Sequence, residues 1–220
     1  MEQANTLLFL AINAGSHPPA VLLATALFLA TWLVPLAVLL FVTLWIRKPA
    51  QDRGALITAT LTMLMGLAAN QAIGLIYFHA RPFMIGLGHQ YLPHPPDNSF
   101  PSDHVTFLWS LGFALAARGA LRAWAAALVA AGIAVAWARI YVGVHFPFDM
   151  AGSLVVASVV TQLAKVIQRW VEPWLLPLSL KLYEGMISLC HLPPVLFPRQ
   201  PALVLMRPHE RSGIWQCDRD

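Results

Sequence analysis

Residues 21–46 read VLLATALFLATWLVPLAVLLFVTLWI, an unbroken apolar run with no charged position. A helix rises about 1.5 Å per residue, and about 20 residues cross a hydrocarbon core of about 30 Å. Such a run, apolar on every side, fits lipid better than the edge of a soluble core. Four further stretches approach the same length: Ala55–Phe78, Val105–Ala117, Ala123–Val142 and Phe148–Ile167. The third is the shortest, with a start as early as Pro101 still compatible with its pattern. Composition agrees. The 220 residues are 58% hydrophobic and 11% charged, where soluble domains carry about a quarter charged residues. The expected fold is all-α: an integral-membrane helical bundle of five to six helices in one domain, 1–220.

Within that domain, residues 1–18 read as an interfacial N-terminal helix and 19–170 as the transmembrane core. Residues 171–220 read as a C-terminal interfacial helix and tail. The leader MEQANTLLFLAINAGSHPPA is acidic rather than basic and too short in its apolar part to span, which argues against a cleaved signal. In PWLLPLSLKLYEGMISLCHLPP, Lys181 and Glu184 fall near the middle, and charge is expensive at the bilayer centre. That segment therefore reads as amphipathic and surface-lying. Spans three and four are dense in Ala and Gly, which lets helix backbones approach.

Basic residues sit in alternate connections: Arg47, Lys48 and Arg53, then Arg118 and Arg122, then Lys165 and Arg169. The positive-inside bias makes these loops cytoplasmic and leaves 79–103 and the turn 143–147 outside. The net charge of +4 is explained by those loops, so nucleic-acid binding is not expected. Cys190 and Cys217 show neither metal spacing nor a disulfide framework.

On the outside ends lie the chain's unusual residues. Arg81 follows span two, Ser102, Asp103 and His104 open span three, Arg139 closes span four, and His145 and Asp149 flank the start of span five. Singly, each has a plain structural reading. An arginine there is a snorkelling anchor, Ser102 an N-cap, Asp149 a first-turn acid favoured by the helix dipole, and Pro147 a first-turn proline. Together, two arginines, two histidines, a serine and two aspartates on one side of a chain that avoids charge form a site pattern.

The chemistry they suit is phosphoryl transfer. Guanidinium groups match phosphate oxygens bidentately, and a helix N-terminus with Ser102 supplies further donors. An imidazole can attack phosphorus and form a phosphohistidine. That imidazole needs an orienting carboxylate, which Asp149 provides for His145. His104 can protonate the leaving oxygen. Arginines and dipoles can neutralise the developing charge, so neither metal nor cofactor is expected. For His89, His94 and Asp97, in the loop with Gly86, Gly88 and three prolines, a surface-loop role is the default.

PSDH at 101–104 and RIYVGVHFPFD at 139–149 resemble motifs of the type 2 phosphatidic acid phosphatase superfamily. In that family they follow an Arg-Pro, here Arg81-Pro82. The resemblance covers roughly residues 7–183. It implies that His145 is the nucleophile and Asp149 its orienting carboxylate. His104 would be the general acid, and Arg81, Ser102 and Arg139 would hold phosphate. Three positions depart from the pattern: Ala138 for Ser, Asp103 for Gly, and Gly74 for the Lys seven residues before Arg-Pro. Asp103 then shapes the electrostatic environment, while Asn70 and Gln71, one turn before Gly74, are candidate replacement donors.

NQAIGLIYFHARPF, LPHPPDNSFPSDH and ARIYVGVHFPFDMAGSLVV look like the bacitracin-resistance branch of undecaprenyl-diphosphate phosphatases. That branch implies a polyprenyl diphosphate lipid as substrate, with membrane lipids around it, and hydrolysis to the monophosphate on the outer leaflet of a bacterial inner membrane. The motifs read phosphate rather than tail, so phosphatidate, phosphatidylglycerol phosphate or lipid A chemistry stays open. So does a non-enzymatic, His-rich metal or proton-coupled membrane protein.

Overall fold

The computed structural model describes residues 2–191, 193 and 196–198, and among them no strand forms. Six α-helices follow one another: α1 (Glu2–Ile12), α2 (Ala20–Arg47), α3 (Ala50–Ile76), α4 (Asp103–Ala117), α5 (Arg122–Tyr141) and α6 (Pro147–Leu189). A single 3-10 turn, Pro82–Ile85, sits in the long α3–α4 connection. The all-α membrane bundle read from the apolar runs is the observed fold.

Among the described residues, four helices are long and apolar enough to cross a membrane: α2, α3, α5 and α6. The sequence suggests five crossings; the third candidate, α4, has only 15 residues, about 22 Å of helix. It is nonetheless the centre of the molecule. Nine of its residues are buried, and it packs on α3, α5 and α6. Gly112 makes the α5 contact possible, because a Cβ there would stand 3.2 Å from the Ala125 carbonyl oxygen and 2.8 Å from Val129. Ser102, just before α4, has no exposed surface. The short helix thus begins inside the bundle, and the space before its N-terminus is where the polar residues gather. α2 has the opposite character. It buries Ala26, Ala30, Ala37 and Leu44 and exposes Val21, Phe28, Trp32, Leu39 and Val42, as a lipid-facing helix does.

α6 departs most from the sequence reading, which breaks it near residue 170. The helix instead continues without interruption for 43 residues through Pro173 and Pro177. Each proline removes one helical N–H, and tertiary contacts offset the loss. Arg118 holds Glu172 through two nitrogens, at 2.5 and 3.1 Å. The Arg53 guanidinium, fully buried, lies 4.3 Å from the Tyr183 ring centroid, while Leu180, Tyr183 and Ile187 bury their side chains. Arg53 and Arg118 both belong to the basic end of the bundle, so residues 172–183 lie across that end. The opposite face exposes Trp170, Trp174, Leu178, Leu182 and Leu189. Cys190 is an exposed free thiol. Cys217 and most of the Pro- and Arg-rich tail lie outside the described residues.

α1 straps the other end. Asn5, buried, accepts the Phe148 backbone N–H at 3.0 Å, supplying an acceptor to the first turn of α6 from outside that helix. Phe9 packs on Phe146 with ring centroids 5.3 Å apart. Asn13 donates to the His89 and Tyr141 carbonyls. α1 therefore ties the long loop to the α5–α6 turn.

Candidate active site

The α5–α6 turn places the key pair. After α5 ends at Tyr141, Gly143 adopts φ +82°, and a Cβ there would come 2.1 Å from the His89 carbonyl oxygen. Only glycine allows this turn to pack on the loop. Pro147 then opens α6, and Asp149, at its third position, accepts the Phe146 N–H at 2.8 Å. The same oxygen, Oδ2, lies 3.0 Å from His145 Nδ1 and accepts the Ser99 hydroxyl. Facing an ionised carboxylate, His145 carries its proton on Nδ1, which leaves the Nε2 lone pair free. Burial pushes the His145 pKa down to about 3, with Arg139 and Arg81 adding to the shift and Asp149 opposing it. The imidazole is therefore neutral at physiological pH.

Arg81, in the loop after α3, is 5% exposed. Its Nη1 lies 3.0 Å from His145 Nε2 and donates to the Val144 carbonyl at 2.8 Å. Its Nε donates to Asp97 at 2.7 Å and its Nη2 to the Asn98 carbonyl. This guanidinium points at the His145 Nε2 lone pair.

Arg139, near the end of α5, is 2% exposed and donates through Nη1 to the Ala30 carbonyl at 3.3 Å. Its Nε and Nη2 are buried with no hydrogen-bond partner among the described residues, and so is Ser102 Oγ. An unsatisfied buried donor costs about 1–3 kcal/mol, more when charged. Ser102 directly precedes α4 and Arg139 lines the cavity beside that helix start, so an anion bound there is a candidate partner for these donors. Ser102 does not use its hydroxyl as a helix cap, which removes its plain structural reading.

A cavity of about 430 Å³ joins these groups. Its lining includes Arg81, Arg139, His104, His145, Asn70 and Asp103. Of the nine residues singled out in the sequence, Gln71 also lines the cavity, Asp149 adjoins it through His145, and Ser102 lies between two of its lining residues, Pro101 and Asp103. Two have narrower roles than expected. Asn70 Nδ2 is committed to Asp103 Oδ1 at 2.8 Å and Thr106 Oγ1 at 3.1 Å, and Gln71 Nε2 lies 3.2 Å from Asp103 Oδ2. The two amides thus hold the extra carboxylate rather than stand free in place of the Lys. At Gly74 the space is filled by Asn98, whose Nδ2 would lie 3.1 Å from an added Cβ. The loop thus occupies the place a longer side chain would need.

Sequence reasoning missed Ser99, Asn98 and His79, and left Asp97 and His94 on the surface. In the structure Asp97 and His94 line the cavity, and the His94 ring centroid is 6.4 Å from that of His145. Ser99 is three residues before Ser102 in the same quoted stretch, but nothing in that spacing marks a hydroxyl bonded to a carboxylate fifty residues away.

A model of the PAP2 superfamily matches residues 54–172. Undecaprenyl-diphosphatase BcrC of Bacillus subtilis (strain 168) is 33% identical over 181 residues, covering 82% of this chain and 92% of its own length. The putative undecaprenyl-diphosphatase YbjG of Escherichia coli (strain K12) is 33% identical over 168 residues, covering 76% and 84%. Among solved structures, LpxE of Aquifex aeolicus aligns with a TM-score of 0.59 at 20% identity, over 73% of this chain and 94% of that one. A PAP2 type phosphatidylglycerolphosphate phosphatase from Bacillus subtilis aligns at 0.56 and 17% identity, over 79% and 88%. At those identities the two structures speak for the fold alone. With the family model spanning more than half of the chain, and two relatives at 33% identity aligned over most of their length, this chain belongs to the PAP2 superfamily, in its bacitracin-resistance type.

Proposed function

We propose that this protein hydrolyses undecaprenyl diphosphate to undecaprenyl phosphate and inorganic phosphate at the outer face of a bacterial inner membrane, through a phosphohistidine on His145. The observation that carries the reading is a set of buried donors without partners among the described residues, Arg139 Nε and Nη2 and Ser102 Oγ, together with a neutral imidazole that shares the Arg139 cavity and is oriented by a buried carboxylate. The substrate follows the names of the two relatives at 33% identity. The face follows from the basic residues at the opposite end of the bundle. On this reading α1 lies in the outer interface. The distal part of α6 lies in the inner one, its Trp170 and Trp174 at headgroup depth.

In the first step His145 Nε2 attacks the terminal phosphorus. A P–N bond forms, and the bond from that phosphorus to the bridging oxygen breaks, releasing the lipid monophosphate. His104, which takes up a proton as the anionic headgroup arrives beside it, gives that proton to the departing oxygen, while Arg81, Arg139 and Ser102 bind the oxygens that gain charge. In the second step water attacks the phosphorus, His104 takes its proton, and the P–N electron pair returns to Nε2. The prenyl tail need not leave lipid. Leu75 lines the cavity and is 89% exposed on the flank of α3, which gives the chain a lateral way out.

The leaving group sets one expectation. A phosphate monoester departs more readily than the alkoxide released from phosphatidate, so it needs less protonation. His104→Ala should therefore slow hydrolysis of undecaprenyl diphosphate by about 10²-fold and of phosphatidate by considerably more. Equal losses on both lipids would remove His104 as the acid.

Purified protein in detergent, given undecaprenyl diphosphate, phosphatidate, phosphatidylglycerol phosphate and lipid A in parallel, tests the reading as a whole. Phosphate release from the diphosphate should be fastest, persist in EDTA, and be inhibited by vanadate as a mimic of the pentacoordinate transition state. Preference for another lipid would replace the substrate. Abolition by EDTA would favour metal chemistry at the histidines, and release from no lipid at all would favour the non-enzymatic alternative.

A further inference from the structure

The Asp149 carboxylate, fully buried, uses its two oxygens differently. Oδ2 serves His145, Ser99 and the Phe146 N–H. Oδ1 faces His79, whose Nδ1 lies 3.3 Å away at ion-pair distance but off the line of a good hydrogen bond. No hydrogen bond to a described residue satisfies either atom. A buried, half-satisfied carboxylate beside an imidazole is an arrangement the two-step reaction above does not use.

His79 is built into place. Its backbone N–H donates to Asn98 Oδ1 at 2.7 Å, and its carbonyl accepts the Ser99 N–H at 2.8 Å. Its ring stacks on Tyr77, with 13° between planes, and tilts against Phe146 at 5.1 Å between centroids. The charged groups facing it are Asp149 from α6 and Glu2 from α1, whose Oε2 lies 3.7 Å from Nε2. On the far side of Asp149 stands His145. The order Glu2, His79, Asp149, His145 thus runs from an exposed carboxylate to the reacting nitrogen.

We infer that His79 is a positioning residue for the nucleophile, acting through Asp149, and that its proton sets how strongly the carboxylate supports His145. When His79 is protonated, its charge draws on Oδ1 and weakens the hold of Oδ2 on the His145 Nδ1–H. The ring is then a poorer nucleophile, because the positive charge that develops on it during attack is less well stabilised. When His79 is neutral it still offers an Nδ1–H to Oδ1, and the full carboxylate charge faces His145. The interaction with Asp149 raises the His79 pKa above its ordinary 6.5, against the opposing effect of burial, with Glu2 adding to the rise. The sign follows: kcat/KM climbs as pH rises through the His79 pKa, giving an acid limb above pH 6.5. His145, with its pKa near 3, cannot supply that limb.

The inference rests on the reading of His145 as nucleophile, and the test separates the two. kcat/KM for undecaprenyl diphosphate is measured from pH 5 to 9 for the wild type and for His79→Gln, His79→Ala, Glu2→Gln and His145→Ala, each checked for folding by thermal melting. His79→Gln, which keeps a neutral donor toward Oδ1, should lose the upper acid limb and recover most of the rate that His79→Ala loses, about tenfold, with KM little changed. Glu2→Gln, a change at an exposed site, should move the limb down by about 0.3 pH unit. The same substrate throughout cancels the substrate's own ionisation. A limb that stays at the wild-type midpoint in His79→Gln, while His145→Ala is inactive, overturns the role of His79 and leaves the nucleophile standing. An active His145→Ala overturns both.

Discussion

His145→Ala should release no phosphate above background, a loss of at least about 10⁴-fold in kcat. Two properties of the site make the expectation this large. The Nε2 lone pair faces both Arg81 Nη1, at 3.0 Å, and the cavity that Arg139 lines. Asp149, 0% exposed, is held facing His145 Nδ1 by the Ser99 hydroxyl and the Phe146 N–H. Water alone would have to reach phosphorus without a covalent step. His145→Gln keeps a polar side chain of similar reach but no nucleophile, and should be equally inactive. Substrate affinity in both variants, read by protection of the protein against thermal unfolding, should remain, because the donors proposed to bind phosphate are untouched. Turnover within a factor of 10 of wild type in either variant would mean that another group attacks phosphorus.

Arg139→Ala should cost about 10²–10³-fold in kcat/KM. In the resting protein this guanidinium spends one nitrogen on the Ala30 carbonyl and keeps Nε and Nη2 buried with no hydrogen-bond partner among the described residues. A charge left in that condition lowers stability unless a ligand's oxygens accept from it. The variant should therefore fold at least as stably as the parent without ligand, yet lose the stabilisation that orthophosphate or vanadate gives the parent. Arg139→Lys restores the charge but not the two-donor fork, and should stay about tenfold or more below wild type. If Arg139→Ala melted far lower than the parent and its folded fraction turned over normally, Arg139 would be a structural brace between α5 and α2.

The sequence makes legible what depends on local pattern. α2, α3 and α5 begin and end within a few residues of their apolar runs, because lipid requires apolar length and the runs supply it. His145 and Asp149 were readable as a pair because four residues across a helix start put them on one side. What the sequence hides is set by distance in the chain. Ser99 reaches a carboxylate fifty positions later, Asn5 completes the first turn of a helix 143 positions away, and neither leaves a periodic trace. Pro173 and Pro177 argue locally for a break in α6. The burial of Leu180, Tyr183 and Ile187, with Tyr183 against Arg53, outweighs that local preference. Gly74 is the instructive departure. In sequence it is a missing Lys; in the structure it is room for Asn98, which sits on the loop that positions His79, Ser99 and Arg81.

The account depends on phosphorus being bonded to nitrogen between two displacements. The stereochemical course at that phosphorus tests it directly, with an undecaprenyl diphosphate whose terminal group is a chiral thiophosphate labelled with oxygen isotopes and hydrolysed in isotopic water. Two in-line displacements, first by His145 and then by water, predict net retention of configuration. Net inversion, the signature of a single attack by water, would contradict the covalent step and with it the role given to His145.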